Sequence, residues 1–495
     1  MAESGKTELV SAIYLQELQP PERRDAAKRD DDREPTYTVE EAVESIGFGR
    51  FHVLLFVIMG SSNIVEAMEI MLLAVASPEI RCEWRLDDWQ VALVSTMVFL
   101  GFMVCGALGG YVADKYGRWK VVYGGFAWSA YFSLLTSFAP SYAWFVFLRS
   151  MVGCGVAGVS QGSAARAPSR PNRFSAHALP LCVQIFWMCG SMLIIALAMW
   201  AVPTLGWRWM IRISVAPSVA LLYLFKFIPE SARFNVSAGN AAAAADTLGW
   251  IAKMNKASLP PGRLADTVAK QRGSWRLLLN SAFRRTSSLL WYSWFVASFA
   301  YYGAVLSGSE LLEKNLLCVT DGERAHQPEK RPEDGRCYCV PFAAGDYRTL
   351  LISCLGELAL IPVNVFLLNT FGRRKTLMLL QSATGLSFLM LSICTSTLGF
   401  TFLLLLLRSM VSVNFTAVYI YTAEVYPTVS RSLGMGFCTS VSRIGGMIAP
   451  FVAQVLMSRS VILALSPFSV ACGLCAVASF LLPIETKGRA LLQIS

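Results

Sequence analysis

The sequence predicts an all-α membrane protein, with twelve transmembrane helices in two pseudo-symmetric six-helix halves. Three observations carry this prediction: a composition too apolar to be wetted, twelve apolar runs long enough to cross a bilayer, and segments that recur half a chain later. Of 495 residues, 55% are hydrophobic and 15% charged, and the mean hydropathy is +0.49. A soluble domain carries roughly 25% charge, so most of this chain's outer surface must face lipid. The net charge of +10 does not indicate nucleic acid. Its bases sit in loops between apolar runs, a distribution that membrane orientation explains.

Taken in order, residues 1–50 are polar and include "PPERRDAAKRDDDREP". They show no cleavable signal and read as a cytosolic N-terminal segment. A spanning helix needs about 20 apolar residues. The N-terminal half (51–228) supplies runs at 51–76, 91–112, 121–140, 144–162, 178–203 and 209–228. A polar stretch, 229–285, reads as a cytosolic central loop. The C-terminal half (286–483) supplies 286–306, 349–368, 376–396, 399–420, 433–457 and 460–483, with an outer loop at 307–347 and a cytosolic tail at 484–495. The short loops after runs 2, 4 and 8 each carry three bases: Lys115, Arg118 and Lys120; Arg166, Arg170 and Arg173; Arg373, Arg374 and Lys375. The positive-inside bias therefore places both termini in the cytosol, of a plasma or vesicle membrane.

Most of the thirteen cysteines fall within apolar runs and read as small hydrophobes. Four lie in the outer loops: Cys82, Cys318, Cys337 and Cys339. In an oxidising compartment they are disulfide candidates, with three full pairings open. No metal set is present, since only His326 could complete one there.

The repeat gives the charged loops a purpose. "DKYGRWK" and "NTFGRRK" place Gly117 and Gly372 255 residues apart; "LRSMV" occurs at 148–152 and again at 407–411; "PESAR" at Pro229 and "PIETKGR" at Pro483 close the two halves. Three matches in register indicate a six-helix unit used twice, as in transporters that hold substrate between halves. At the end of the second run, Asp114 is placed to meet a helix amino terminus or a base. Gly110 is read as the point where another helix approaches closely. Gly110, Asp114 and Arg118, with Gly372 and Arg373 in the second half, form the expected cytosolic gate.

This segment resembles the signature loop of the major facilitator superfamily. "AVESIGFGRF", "EAMEIM", "CEWRLDDWQVAL", "SFAYYG", "YTAEVYPT" and "LPIETKGR" together resemble its synaptic-vesicle-2-related group, from about residue 40 to the end. The resemblance implies the major facilitator fold and carriage of an organic ion. It adds Glu424 and Arg431 to the gate as a charge pair. One stretch departs from the pattern: "SAARAPSRPNRFSAH" (163–177) has no acid where the family has one. Either half of the latch is lost, or the stretch is an artefact of sequence or splicing, which its preserved length and lost character favour.

Charges within the spans cost at least ~2.5 kcal/mol each by insertion scales, so each needs a reason. Asn63, Glu66 and Glu69 fall three apart on one face of the first helix. Two carboxylates so close do not both ionise easily, and Glu66 and Glu69 are the proton-coupling candidates. Arg149 and Arg408, both in the repeated "LRSMV", read as scaffold. Glu357 could pack or meet substrate. Arg443 has no twin in the first half and is a substrate candidate; organic-anion carriers resemble this sequence in having arginine there, which implies an anion. Asn63 is a further substrate candidate, and Trp187, Tyr301, Tyr302 and Tyr419 complete the set, as aromatic surfaces for a ring or cation.

The reading is a secondary active transporter for a small organic ion, with protons as the candidate coupling ion and no cofactor. Its partners are membrane lipid and substrate, and its oligomeric state stays open. The competing class is a vesicle-membrane scaffold or receptor that keeps the fold without the flux. An enzyme is the weakest reading, since no nucleotide loop, metal set or nucleophile constellation is found.

Overall fold

The computed structural model describes residues 35–164, 173–265, 278–280, 283–314, 341–393, 395–426 and 428–487. The first half comprises α2 (Arg50–Trp84), α3 (Asp88–Tyr116), α4 (Arg118–Thr136), α5 (Tyr142–Ala164), α6 (Arg173–Leu205) and the pair α7 (Trp207–Ser214) and α8 (Ala216–Phe225). The second comprises α11 (Arg284–Glu313), the pair α12 (Ala344–Ala359) and α13 (Ile361–Phe371), α14 (Arg373–Met390), α15 (Thr397–Val425), α16 (Thr428–Pro450) and α17 (Val461–Phe480). Eight stretches of these are long and apolar enough to cross a membrane on length and composition alone. The other four places in the six-and-six order are filled by α4, α5, α14 and α16. α14 falls short because Arg373, Arg374, Lys375 and Gln381 occupy an 18-residue helix.

Two helices run furthest past their expected ends. α2 continues through Pro78 to Trp84, so Cys82 lies in its last turn rather than in a loop. α11 continues to Glu313, beyond the expected end at 306. Both extensions carry charge that hydropathy alone excludes from a span, and that charge is paired in the structure.

The polar central segment is also more than a loop. α9 (Ala232–Ser237) and α10 (Ala241–Asn255) lead to a short strand β2 (Arg263–Leu264). It pairs in parallel with β1 (Thr36–Tyr37), Thr36 opposite Arg263. α1 (Val39–Ile46) starts at a capping box: Thr38 Oγ1 accepts from the Glu41 amide at 3.3 Å, and Glu41 returns the bond at 2.8 Å. Its Val39, Ala42 and Ile46 pack on Ala244, Leu248 and Ala252 of α10. Asn255 then accepts from the Phe51 amide at 2.9 Å, tying this layer to the start of α2.

Between lipid-facing helices there is little hydrophobic drive, and small residues let backbones meet. On Gly101 and Gly153 any Cβ would strike the carbonyls of Ser150 and Val98 respectively, so α3 and α5 pack face to face through glycine. Gly110 faces open space instead; the close helix approach expected there is not formed. The glycine contacts of α3 lie nearer its middle.

The cores differ from one end of the molecule to the other. Away from the termini, one continuous cluster joins both halves, from Met68, Leu72 and Val98 to Val305, Leu350 and Phe468. Towards the termini the cores are separate: Val122, Phe126 and Phe225 in the first half, Leu377, Val418 and Tyr426 in the second. The halves are thus sealed at the distal face and packed independently at the terminal face.

Candidate functional site

At the terminal face the repeat is realised in matching turns, caps and side-chain contacts. Gly117 (φ +108°) and Gly372 (φ +84°) make the turns into α4 and α14, in a region that L side chains rarely adopt. Beyond each turn a carboxylate 255 positions apart caps the new helix: Glu230 accepts from the Trp119 amide at 3.0 Å, and Glu485 accepts from the amides of Arg373 and Arg374 at 2.9 and 3.2 Å. A negative charge there satisfies orphan amides and complements the helix dipole. Side chains repeat the pattern, Trp119 Nε1 donating to the Phe225 carbonyl (2.9 Å) and Arg374 Nη2 to that of Phe480 (2.7 Å).

Arg373 also grips Glu424 with two parallel bonds of 2.9 and 2.8 Å, and Thr486 donates to the same carboxylate. The family pattern pairs Glu424 with Arg431; here Arg431 Nε donates to the Tyr426 carbonyl at 3.4 Å, and Glu424 takes the nearer Arg373. In the first half the equivalent lock is not visible. The side chain of Asp114 and most of 163–177 lie outside the described residues, and Arg118 opens α4 directly after Gly117.

Mid-membrane, the candidate residues separate into three groups. Glu69 Oε2 accepts from Arg149 Nη1 at 2.8 Å, with both side chains buried. It therefore belongs to an ion pair within the first half and does not share a site with Glu66. Asn63 also leaves that site, its amide donating to the Met59 carbonyl of its own helix at 3.0 Å.

The second group bridges the halves through α6 and α12. Arg408 Nη2 donates to Glu357 Oε1 at 2.7 Å, as does the Tyr301 hydroxyl at 3.0 Å. From the first half, Gln184 donates to Glu357 Oε2 at 3.2 Å and Trp187 Nε1 to the Tyr301 hydroxyl at 2.6 Å. Glu357 is fully buried with four donors around its carboxylate and backbone, Ser412 included. A pair between Arg443 and Glu357 is thereby ruled out. Tyr419 stands apart, exposed and tilted on Trp294 at 5.8 Å.

The third group joins α2 and α16 across the halves. Arg443 Nη2 lies 3.8 Å from Glu66 Oε1, and its Nη1 lies 3.5 Å from the Tyr302 hydroxyl. The guanidinium sits 3.5 Å above the centre of the Phe102 ring, and Tyr302 packs on Phe99 at 4.5 Å. Ser442 is buried beside it, and the Cβ-free Gly446 lets Phe99 approach. Both other mid-membrane pairs are in hydrogen-bond contact at 2.7–2.8 Å. Only Arg443 and Glu66 are held apart, and their side chains keep 11% and 9% exposure.

Sequence reasoning missed a fourth group at the distal face. Arg81 of α2 lies 2.8 Å from Asp88 of α3, and 2.8 and 3.2 Å from Glu310 and Glu313 of α11. Lys314 adds contacts of 3.1 Å to Asp88 and 3.4 Å to Glu310. The signal was present as charges closing two apolar runs, but it was read as loop. Cys82, beside Arg81, is disulfide-bonded; Cys318, Cys337 and Cys339 lie outside the described residues. Cys105 and Cys154, read as small hydrophobes, are joined to each other between α3 and α5, because the glycine-mediated approach brings these helices together.

A sequence model of the Major Facilitator Superfamily matches residues 59–316 and 349–493. The chain belongs to this superfamily. It is 65% identical to the "Putative transporter SVOPL" of Danio rerio, covering 99% of this chain and 98% of that one, and 54% identical to its Homo sapiens namesake over 93% and 94%. The Synaptic vesicle 2-related protein of Rattus norvegicus is 40% identical over 93% and 83%. Among solved structures, the proton:xylose symporter XylE bound to 6-bromo-6-deoxy-D-glucose shares the fold, with a TM-score of 0.60, 14% identity and coverage of 90% and 98%. The chain is thus a multi-pass membrane protein of a transporter family, and not an enzyme.

Proposed function

We propose that the chain is a secondary active transporter that moves a small organic anion, coupled to protons, by rocking its halves about the Arg443–Glu66 pair. The observation that carries this reading is the loose pair itself: an acid and a base from opposite halves, 3.8 Å apart, beside the rings of Phe102 and Tyr302. Charges at that distance attract by about 4 kcal/mol at an effective dielectric of about 20. A proton on Glu66 removes that attraction and leaves Arg443, which stays charged, to bind an anion through its guanidinium fork. Proton and anion then cross together, with little net charge left in the membrane.

On this reading the termini are cytosolic, and the contacts of Glu424, Glu230 and Glu485, each made within one half, keep that half rigid at the terminal face as the halves rock. Glu69–Arg149 and Glu357–Arg408 are scaffold. A thermal-shift screen of the purified protein against organic anions, cations and sugars tests the assignment. Anions should stabilise the wild type and not Arg443→Ala. A screen in which no small molecule stabilises the protein favours a scaffold that has kept the fold alone.

A further inference from the structure

The distal cluster has a charge count that its burial makes consequential. Among the described residues, Arg81 and Lys314 face three acids, Asp88, Glu310 and Glu313, and all but Asp88 are at most 8% exposed. Glu313 is the least satisfied. It lies 3.2 Å from Arg81 Nε, yet neither of its oxygens has a hydrogen-bond partner among the described residues. Arg81 spends its two terminal nitrogens on Asp88 and Glu310. A buried carboxylate whose nearest base is already shared with two other acids costs several kcal/mol, a cost that a single proton removes.

The cluster also lies where motion must break it. Arg81 and Asp88 belong to the first half, and Glu310, Glu313 and Lys314 to the second, at the face where one continuous core seals the halves. Among the described residues, the charges acting on Glu313 are Glu310 of its own helix, Lys314 just past that helix's end, Arg81 of α2 and Asp88 of α3. Nearby, Glu79 of α2 and Asp346 of α12 flank Tyr347, and the turn before α17 carries the exposed Arg459.

We propose that Arg81, Asp88, Glu310, Glu313 and Lys314 form the distal gate, and that closing it takes up one proton, on Glu313. The claim uses the rocking of the halves and no part of the substrate assignment. Opening separates the two halves of the cluster and lets water reach Glu313, which then ionises and releases the proton. The closed form binds one proton more than the open form. The ratio of closed to open should therefore fall about tenfold per pH unit on raising pH across the titration of Glu313.

The test is the distance between spin labels at Leu205 and Leu398, exposed distal positions on the two halves, in the full-length, ligand-free protein from pH 5 to 9. The wild type should move from the short to the long distance as pH rises. Glu313→Gln, which mimics the protonated acid, should stay short throughout, while Glu313→Asp should keep the pH slope and Glu79→Gln should match the wild type. Arg81→Gln should show the long distance at every pH. Circular dichroism and elution volume report whether each variant is folded. A wild-type distance that ignores pH, or a Glu313→Gln slope equal to that of the wild type, overturns the proton assignment. A short distance retained by folded Arg81→Gln overturns the gate. Failure of every anion to bind would leave these outcomes unchanged, so the two proposals fall separately.

Discussion

Changing Glu69 to glutamine should unfold the protein more readily, and the geometry says by how much. Arg149 is fully buried, and Glu69, at 2.8 Å, is its one ion-pair partner among the described residues. Among the described residues its Nε and Nη2 have no hydrogen-bond partner, and the guanidinium lies 5.8 Å from the Phe145 ring. Glu69→Gln therefore leaves an uncompensated buried cation, which costs about 3–5 kcal/mol. Replacing the arginine as well, in Glu69→Gln/Arg149→Met, removes that charge and should recover about 2 kcal/mol or more of the loss. Glu66→Gln should cost less, about 1 kcal/mol, because Arg443 keeps Tyr302, Phe102 and partial access to water. The assay is reversible unfolding in mixed micelles with increasing dodecyl sulfate, read by tryptophan fluorescence, on the two single variants, the double variant and Arg149→Met. A Glu69→Gln loss no larger than that of Glu66→Gln, or a double variant equal to the sum of its singles, would refute the reasoning.

Gly372→Ala should lower the melting temperature, since an L residue at φ +84° also presses its Cβ on the Glu485 carboxylate; strain of this kind costs about 1–3 kcal/mol. Glu485→Ala should lose about 1 kcal/mol through its two freed helix-end amides, and a melting temperature equal to wild type in both variants would contradict the capping role. Mass spectrometry of the mature protein without reduction should find Cys82 oxidised; a free Cys82 thiol would contradict the bond at the end of α2.

The fold was legible because lipid imposes a length and a composition on every span, and because gene-scale repetition left "GRWK" and "GRRK" in register. The contact network of the terminal face was half legible. Its turn glycines showed in the motif, but the capping by Glu230 and Glu485 joins residues more than a hundred positions apart. The charged candidates were found one by one, since any charge in an apolar run stands out; their pairing was not. Glu66 and Glu69 share a helical face in sequence, yet three residues leave them about 60° apart around the helix axis, enough to give one Arg443 and the other Arg149. Neither partner is local, so no spacing rule reveals the choice. Arg81, Glu310 and Glu313 escaped for a different reason: hydropathy ends a span where charge begins, and so treats a buried, compensated helix end as loop.

The central claim, that Arg443 binds the anion and Glu66 carries the proton, is tested most directly by comparing exchange with accumulation in proteoliposomes. An anion found in the binding screen is supplied either in counterflow or under an inward proton gradient. The account predicts that wild type does both, that Arg443→Ala does neither, and that Glu66→Gln keeps counterflow while losing gradient-driven accumulation. Accumulation retained by Glu66→Gln, or counterflow retained by Arg443→Ala, would contradict it.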